Sequence, residues 1–169
     1  MPPLGRTNAR QERGILLSTM DLNHLDRLFQ QIQEGWDIPT PQGLLRVKRE
    51  DAAKTGSSLP YSMVKNLAHA VYWQDLWLRS LAGEPRPSSM EVWKNDWRDP
   101  DSSEWESLRK RFIDGLQKAR DNCGEEFKNH KKETDEKAVD TLLAIAIHAT
   151  YHMGQLNVLK RTLKSGRRG

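Results

Sequence analysis

Apolar side chains recur three and four residues apart in four stretches of this chain, and nowhere do they alternate with polar ones as a half-buried strand requires. That pattern predicts an all-α protein. The first stretch runs from about Ser18 to Glu34, carries Leu22, Leu25, Leu28, Phe29 and Ile32 on one stripe, and meets Gly35 as a stop. The second starts near Pro60, a residue tolerated at a first helical position, and runs to Leu81 ahead of Gly83 and Pro85. The third begins at Ser103, which with Glu106 fits a capping box. Trp105, Leu108, Phe112, Ile113 and Leu116 form its stripe, and it is expected to continue past Gly115 towards Phe127. The fourth runs from near Thr134 to about Leu163 and ends at Gly166.

The links between these helices are long. Residues 35–59 hold Pro39, Pro41, Gly43 and Gly56, with one turn of helix expected around Arg49 to Ala53. Residues 83–102 hold Pro85, Pro87 and Pro100 together with Trp93 and Trp97, two indoles expected to pack across the bundle and extend its core. Residues 120–137 form a charged, turn-rich connection, and no internal repeat is visible. The expected architecture is a single domain over residues 1–169. It is a four-helix bundle with long crossover connections, spanning about 17–163, with basic, flexible ends at 1–14 and 164–169.

Such a bundle has to be built from little apolar material, since 36% of the residues are hydrophobic, 30% are charged and the mean hydropathy is −0.80. Six Trp and a net charge of only +4 argue against disorder. A single Cys excludes a disulfide framework and a cysteine-ligated zinc knuckle. There is no run of eighteen apolar residues, and Met-Pro-Pro followed by Arg-rich sequence does not read as a signal peptide; a cytoplasmic protein without membrane contact is expected. The pI near 9.3 belongs to the ends: residues 1–14 carry a net +2 and residues 157–169 a net +5, which leaves −3 between them. Nucleic acid is therefore not an expected partner.

Chemistry is concentrated in the histidines. His148 and His152 stand four apart in the most apolar helix, on one face shared with Ile145, Leu156, Leu159 and Leu163. Each buried imidazole has a donor and an acceptor to satisfy. A divalent ion reached by both rings solves this, and a hydrogen-bonded core pair is the alternative. A third ligand has to come from another helix, and His69 is the candidate, beside Tyr72 and Trp73; the alternative is a packed boundary residue. His24 is expected at a surface or interface, and His130, among Lys and Asn, in solvent. Gln155, one turn from His152, either bonds an imidazole or substrate or packs at a helix crossing, while Gly154 is expected to permit close helix approach.

The run His148-Ala-Thr-Tyr-His152-Met-Gly-Gln155-Leu-Asn-Val-Leu-Lys-Arg161 resembles the closing motif of the DinB/YfiT-like family, HxxxHxGQ followed by aliphatic residues and a basic pair. Upstream, Gly56-Ser-Ser-Leu-Pro-Tyr-Ser62-Met-Val-Lys-Asn-Leu-Ala-His69 resembles the family's lead into its first ligand histidine. The run Leu81-Ala-Gly83 and the pair Asp96-Trp97, followed by Ser103-Glu-Trp105, also fit. The resemblance covers about Leu17 to Leu163; Lys48-Arg49 departs from it, standing where polar or acidic residues are commoner. It implies a bacterial four-helix bundle, often a homodimer, in which His69, His148 and His152 hold a divalent metal such as zinc or nickel.

Three neutral imidazoles leave an ion its full charge and an open position, able to lower the pKa of a thiol or of water. Two enzyme classes follow. The first is a thiol-dependent transferase using an external low-molecular-weight thiol, because Cys123 stands far from the motif; the second is a metal-dependent hydrolase, for which no dedicated general base is evident. The reading from a different class is a non-catalytic, metal-stabilised, stress-related binding or dimer module. Pocket candidates are Tyr72, Trp73 and Gln155, and the substrate is a small molecule that the sequence does not specify.

Overall fold

The computed structural model describes residues 22–55 and 60–165; the helix start near Ser18 and the stop at Gly166 lie outside them. Among the described residues there are seven α-helices and no strand. They are α1 over 22–34, α2 (Pro41–Leu44), α3 (Arg49–Ala52), α4 (Met63–Leu81), α5 (Ser89–Asn95), α6 (Trp105–Asp121) and α7 (Asp135–Ser165). Short 3-10 segments cover Ser102–Glu104 and Glu125–Asn129. The four long helices α1, α4, α6 and α7 form the bundle, with α4 packed along both α6 and α7. Arg120 of α6 ties α1 in, its Nε donating to Asp26 Oδ1 at 2.8 Å.

One apolar core joins these helices. Phe29 from α1, Leu67 from α4, Trp105, Phe112 and Leu116 from α6, and Leu142, Ile145 and Leu156 from α7 are all buried in it. Burying each large side chain contributes about 1.5–3 kcal/mol. This is how a chain of low hydropathy supports a core: its apolar residues are collected on the inward stripes. Most of the stripes expected on α1, α6 and α7 fall inward; Leu22, Leu28, Ile113 and Leu163 are only partly buried.

Several boundaries differ from the sequence reading because side-chain caps decide them. α4 begins at Met63 and not at Pro60, since the Ser62 hydroxyl accepts from Lys65 N at 3.3 Å. The capping box ahead of α6 is Asp101 with Glu104, not Ser103 with Glu106: Asp101 Oδ1 accepts from Ser103 N at 2.8 Å, and Glu104 accepts from Asp101 N at 3.0 Å. α6 stops at Asp121, and Phe127 reaches the core from the following 3-10 segment instead. Thr134 caps α7 by accepting from Lys137 N at 3.3 Å. α7 runs through Ser165, two residues into the stretch expected as a tail. Gly35 does end α1, at a φ of +74° that side-chain-bearing residues rarely adopt.

The links carry the larger surprises. Arg49–Ala52 is helical as expected, but the first link also contains α2, whose last carbonyls at Gly43 and Leu44 accept from Lys160 Nζ at 2.6 and 2.9 Å. Trp105 Nε1 donates to Val47 O at 3.0 Å, pinning this link to the start of α6. The second link contains α5, opened by a capping box between Ser88 and Glu91, and no side chain of α5 is buried. Trp93 is accordingly 80% exposed, so it does not extend the core; Trp97, just past the helix, packs against the histidines instead.

Two glycines separate by packing. A Cβ on Gly115 of α6 would lie 2.2 Å from Gln74 Oε1 and 2.6 Å from Gln74 Cδ, so the buried Gln74 side chain would have to shift. A Cβ on Gly154 meets nothing within 4 Å, so Gly154 does not serve the close helix approach expected of it within this chain. Gly115→Ala is therefore expected to cost about 1 kcal/mol, overpacking outweighing the gain in helix propensity. Gly154→Ala is expected to gain up to about 1 kcal/mol from propensity alone. Thermal unfolding of the two variants checks this, and a Gly115→Ala protein as stable as the parent contradicts the packing argument.

Candidate metal centre

Three imidazoles meet between α4 and α7. His69 comes from α4, and His148 and His152 from successive turns of α7. His148 Nε2 lies 3.2 Å from His69 Nε2 and 3.1 Å from His152 Nε2, and the three nitrogens lie within 4.8 Å of one another. A tetrahedral ion holding nitrogens at 2.0–2.1 Å keeps them about 3.3 Å apart. The donor set therefore fits one divalent ion. Among the described residues no other His, Cys, Asp or Glu joins the cluster.

The neighbours decide where the ring protons sit. His69 Nδ1 lies 2.8 Å from Asp96 Oδ1, a carboxylate that can only accept, so Nδ1 carries the proton and Nε2 presents its lone pair. Asp96 is held in turn by Trp73 Nε1, which donates to the same oxygen at 2.6 Å. His152 Nδ1 lies 3.3 Å from Asn66 Oδ1, while Asn66 Nδ2 donates to Gln155 Oε1 at 2.6 Å. The amide oxygen of Asn66 is thus the group facing His152, which fixes that ring in the same tautomer. Two lone pairs converge on one point, and His148 Nε2 stands against both.

A hydrogen-bonded trio does not satisfy this arrangement. One proton on His148 Nε2 serves one of the two lone pairs and leaves the other buried and unpaired. Protonating a ring is disfavoured as well. Burial, reinforced by the neighbouring imidazoles, lowers the pKa of His148 to about 4 and that of His152 to about 3. Burial also lowers that of His69, with Asp96 opposing the shift. At neutral pH all three are neutral, the state a metal requires.

Aromatic rings enclose the cluster. Trp97 stacks on His69 with centroids 3.9 Å apart and planes 18° apart, and Trp77 meets His148 edge-on at 5.1 Å. His148 is the half-buried member; His69 and His152 are buried.

The other expected site residues fall elsewhere. Trp73 acts through Asp96, and Gln155 through Asn66. Tyr72 is not packed on the imidazoles; it lines a separate small cavity with Asp75, Arg79 and Arg111. His24 is exposed on α1 and apart from the cluster. His130 is not solvated as expected: its side chain is 10% exposed, Nδ1 accepts from Lys132 N at 3.1 Å, and Nε2 lies 3.1 Å from Asp135 Oδ1. Cys123 is buried, and burial pushes its thiol up to about 12, so it offers no thiolate. Nothing in the sequence beyond their spacing from His69 on one helix marks Asn66 or Trp77 as a neighbour of the histidines, whereas the pair Asp96-Trp97 stands out in the motif.

A helical bundle with a largely buried three-histidine centre between two of its long helices is the class that fold and site define. The model of the DinB superfamily matches residues 23–156, and the chain belongs to that superfamily, many members of which are metal-dependent enzymes. No curated protein and no solved structure matches the chain. No helix among the described residues is long and apolar enough to cross a membrane.

Proposed function

We propose that His69, His148 and His152 hold one divalent ion, zinc or nickel, and that the protein is a cytoplasmic thiol-dependent transferase. The observation that carries the metal reading is the tautomer control. Asp96 and Asn66 aim two Nε2 lone pairs at the point that His148 Nε2 also faces, and a cation satisfies all three. An ion at that point supplies the positive charge that lowers the pKa of an incoming thiol or water. The protein's own residues do the rest. Asp96 holds His69 in register, the Asn66–Gln155 pair holds His152, and Trp97 covers one face of His69.

The thiol reading is favoured over hydrolysis by the carboxylate inventory. Asp96 is the carboxylate bonded to the cluster, and both His69 and Trp73 already engage it. Among the described residues, no free carboxylate therefore stands at the cluster to take a proton from an attacking water and pass it to a leaving group. Addition of a thiol to a strained ring or activated double bond needs only its deprotonation. The S–H bond breaks and its proton leaves to solvent, the sulfur bonds the electrophilic carbon, and the C–O or C=C pair that breaks there moves to the neighbouring atom, which takes a proton from solvent. The thiol is external, since Cys123 is buried and protonated. The test supplies zinc- or nickel-loaded protein with a low-molecular-weight thiol and an electrophilic acceptor. Thiol consumption that a chelator abolishes is expected, and no turnover over a broad panel with the metal in place overturns the transferase reading.

A further inference from the structure

Beside the histidines lies a cavity of about 450 Å³, bounded by the C-terminal turns of α4, residues 83–86 and the loop at 131–133. Its volume is in the range of small-molecule sites. One wall is the indole pair Trp73 and Trp77, whose centroids are 5.4 Å apart. The same two rings reach the centre from their other contacts, Trp77 on His148 and Trp73 on Asp96.

The charges on the remaining walls are unbalanced. Both carboxylates of the cavity are engaged: Glu84 pairs with Arg79, and Glu133 with Lys137. Arg86, Lys131 and Lys132 also line it; neither Arg86 nor Lys131 forms a salt bridge among the described residues, while Lys132, whose charge acts on Glu133, donates from Nζ to the Ser80 hydroxyl. The rim is held by backbone. Lys131 N donates to Leu81 O at 2.8 Å, and Gly83, at a φ of +81°, makes room for Lys131, since a Cβ there would lie 2.7 Å from Lys131 Cβ. Arg86 further lines a shallower cleft with Trp93 and Asp96. Unpaired cations over an aromatic wall complement a small organic anion with a planar apolar part.

We propose that this cavity binds a small aromatic or otherwise planar organic anion, its charged group on Arg86 and Lys131 and its flat part against Trp73 and Trp77. The site goes beyond the metal reading and does not require the ion.

Calorimetry with 2-naphthoate and with the uncharged 2-naphthamide, on the full chain both metal-free and zinc-loaded, tests it. Naphthoate is expected to bind both forms with similar affinity and the amide at least about tenfold more weakly, as loss of a charge-assisted hydrogen bond implies. Arg86→Ala and Lys131→Ala, at exposed positions where folding is checked by circular dichroism, are each expected to weaken naphthoate about tenfold. Equal binding of amide and carboxylate, or no effect of either substitution, overturns the proposal. So does binding confined to the zinc-loaded form and indifferent to Arg86→Ala, which would place the carboxylate on the ion. Inorganic phosphate that displaces naphthoate from the parent but does not bind Arg86→Ala supports the same cationic site for phosphorylated ligands. Failure of the protein to bind zinc leaves the metal-free arm intact, so the two readings fail separately.

Discussion

His148→Ala is expected to abolish stoichiometric divalent-metal binding at neutral pH. His148 Nε2 is the nitrogen 3.1–3.2 Å from both of the others, so its removal leaves two donors on opposite helices with no third. Loss of an outer-shell partner costs about 10–100-fold in metal affinity, and loss of a ligand exceeds the upper end of that range. Elemental analysis after desalting checks it, and full occupancy in the variant rules out the three-histidine site. Folding need not suffer, because the metal-free cluster is itself a burden in acid. The unfolded imidazoles titrate near 6.5, whereas folded His148 and His152 titrate near 4 and 3. The metal-free protein is therefore at full stability above about pH 6.5 and loses stability as the pH falls from there towards those values, the unfolded chain taking up protons first. Removing His148 removes one of these groups and flattens the acid side of the stability curve.

The second large effect is expected at Asp96, which touches no ion. Its Oδ1 accepts from His69 Nδ1 and Trp73 Nε1. Asp96→Asn keeps an acceptor there but loses the charge that raises ligand basicity; Asp96→Ala loses both. Metal affinity is expected to fall about tenfold for Asn and about 100-fold for Ala, the two ends of the range for such partners. A competition titration against a chromophoric chelator reads both. Native affinity in Asp96→Ala would show that the Trp97 stack and the Asp96 carbonyl, 3.3 Å from Nδ1, orient His69 unaided.

The three ligand candidates are legible in the sequence. Two histidines four apart on an apolar helix share a face by helical geometry alone, and His69 lies in the middle of another long helix beside Tyr72 and Trp73. Asn66, although quoted in the same run, was not legible as a partner of His152, because its partners are 86 and 89 residues away along the chain. The tryptophans misled for a related reason. Composition says an indole prefers burial, but Trp93 sits on a helix that buries nothing, while Trp97, four residues on, lies against a ligand ring.

Periodicity and local stops such as Gly35 suffice to locate the four long helices, the apolar stripes of α1, α6 and α7 and the shared face of His148 and His152, because those depend on a repeat of 3.6 residues. Long-range packing sets which way the imidazole lone pairs point, leaves Trp93 of α5 in water, and brings Arg86 and Lys131 to one cavity. These depend on the path of the links, and a link's path is set by contacts between residues far apart in the chain, such as the bond from Lys131 N to Leu81 O that closes the cavity rim.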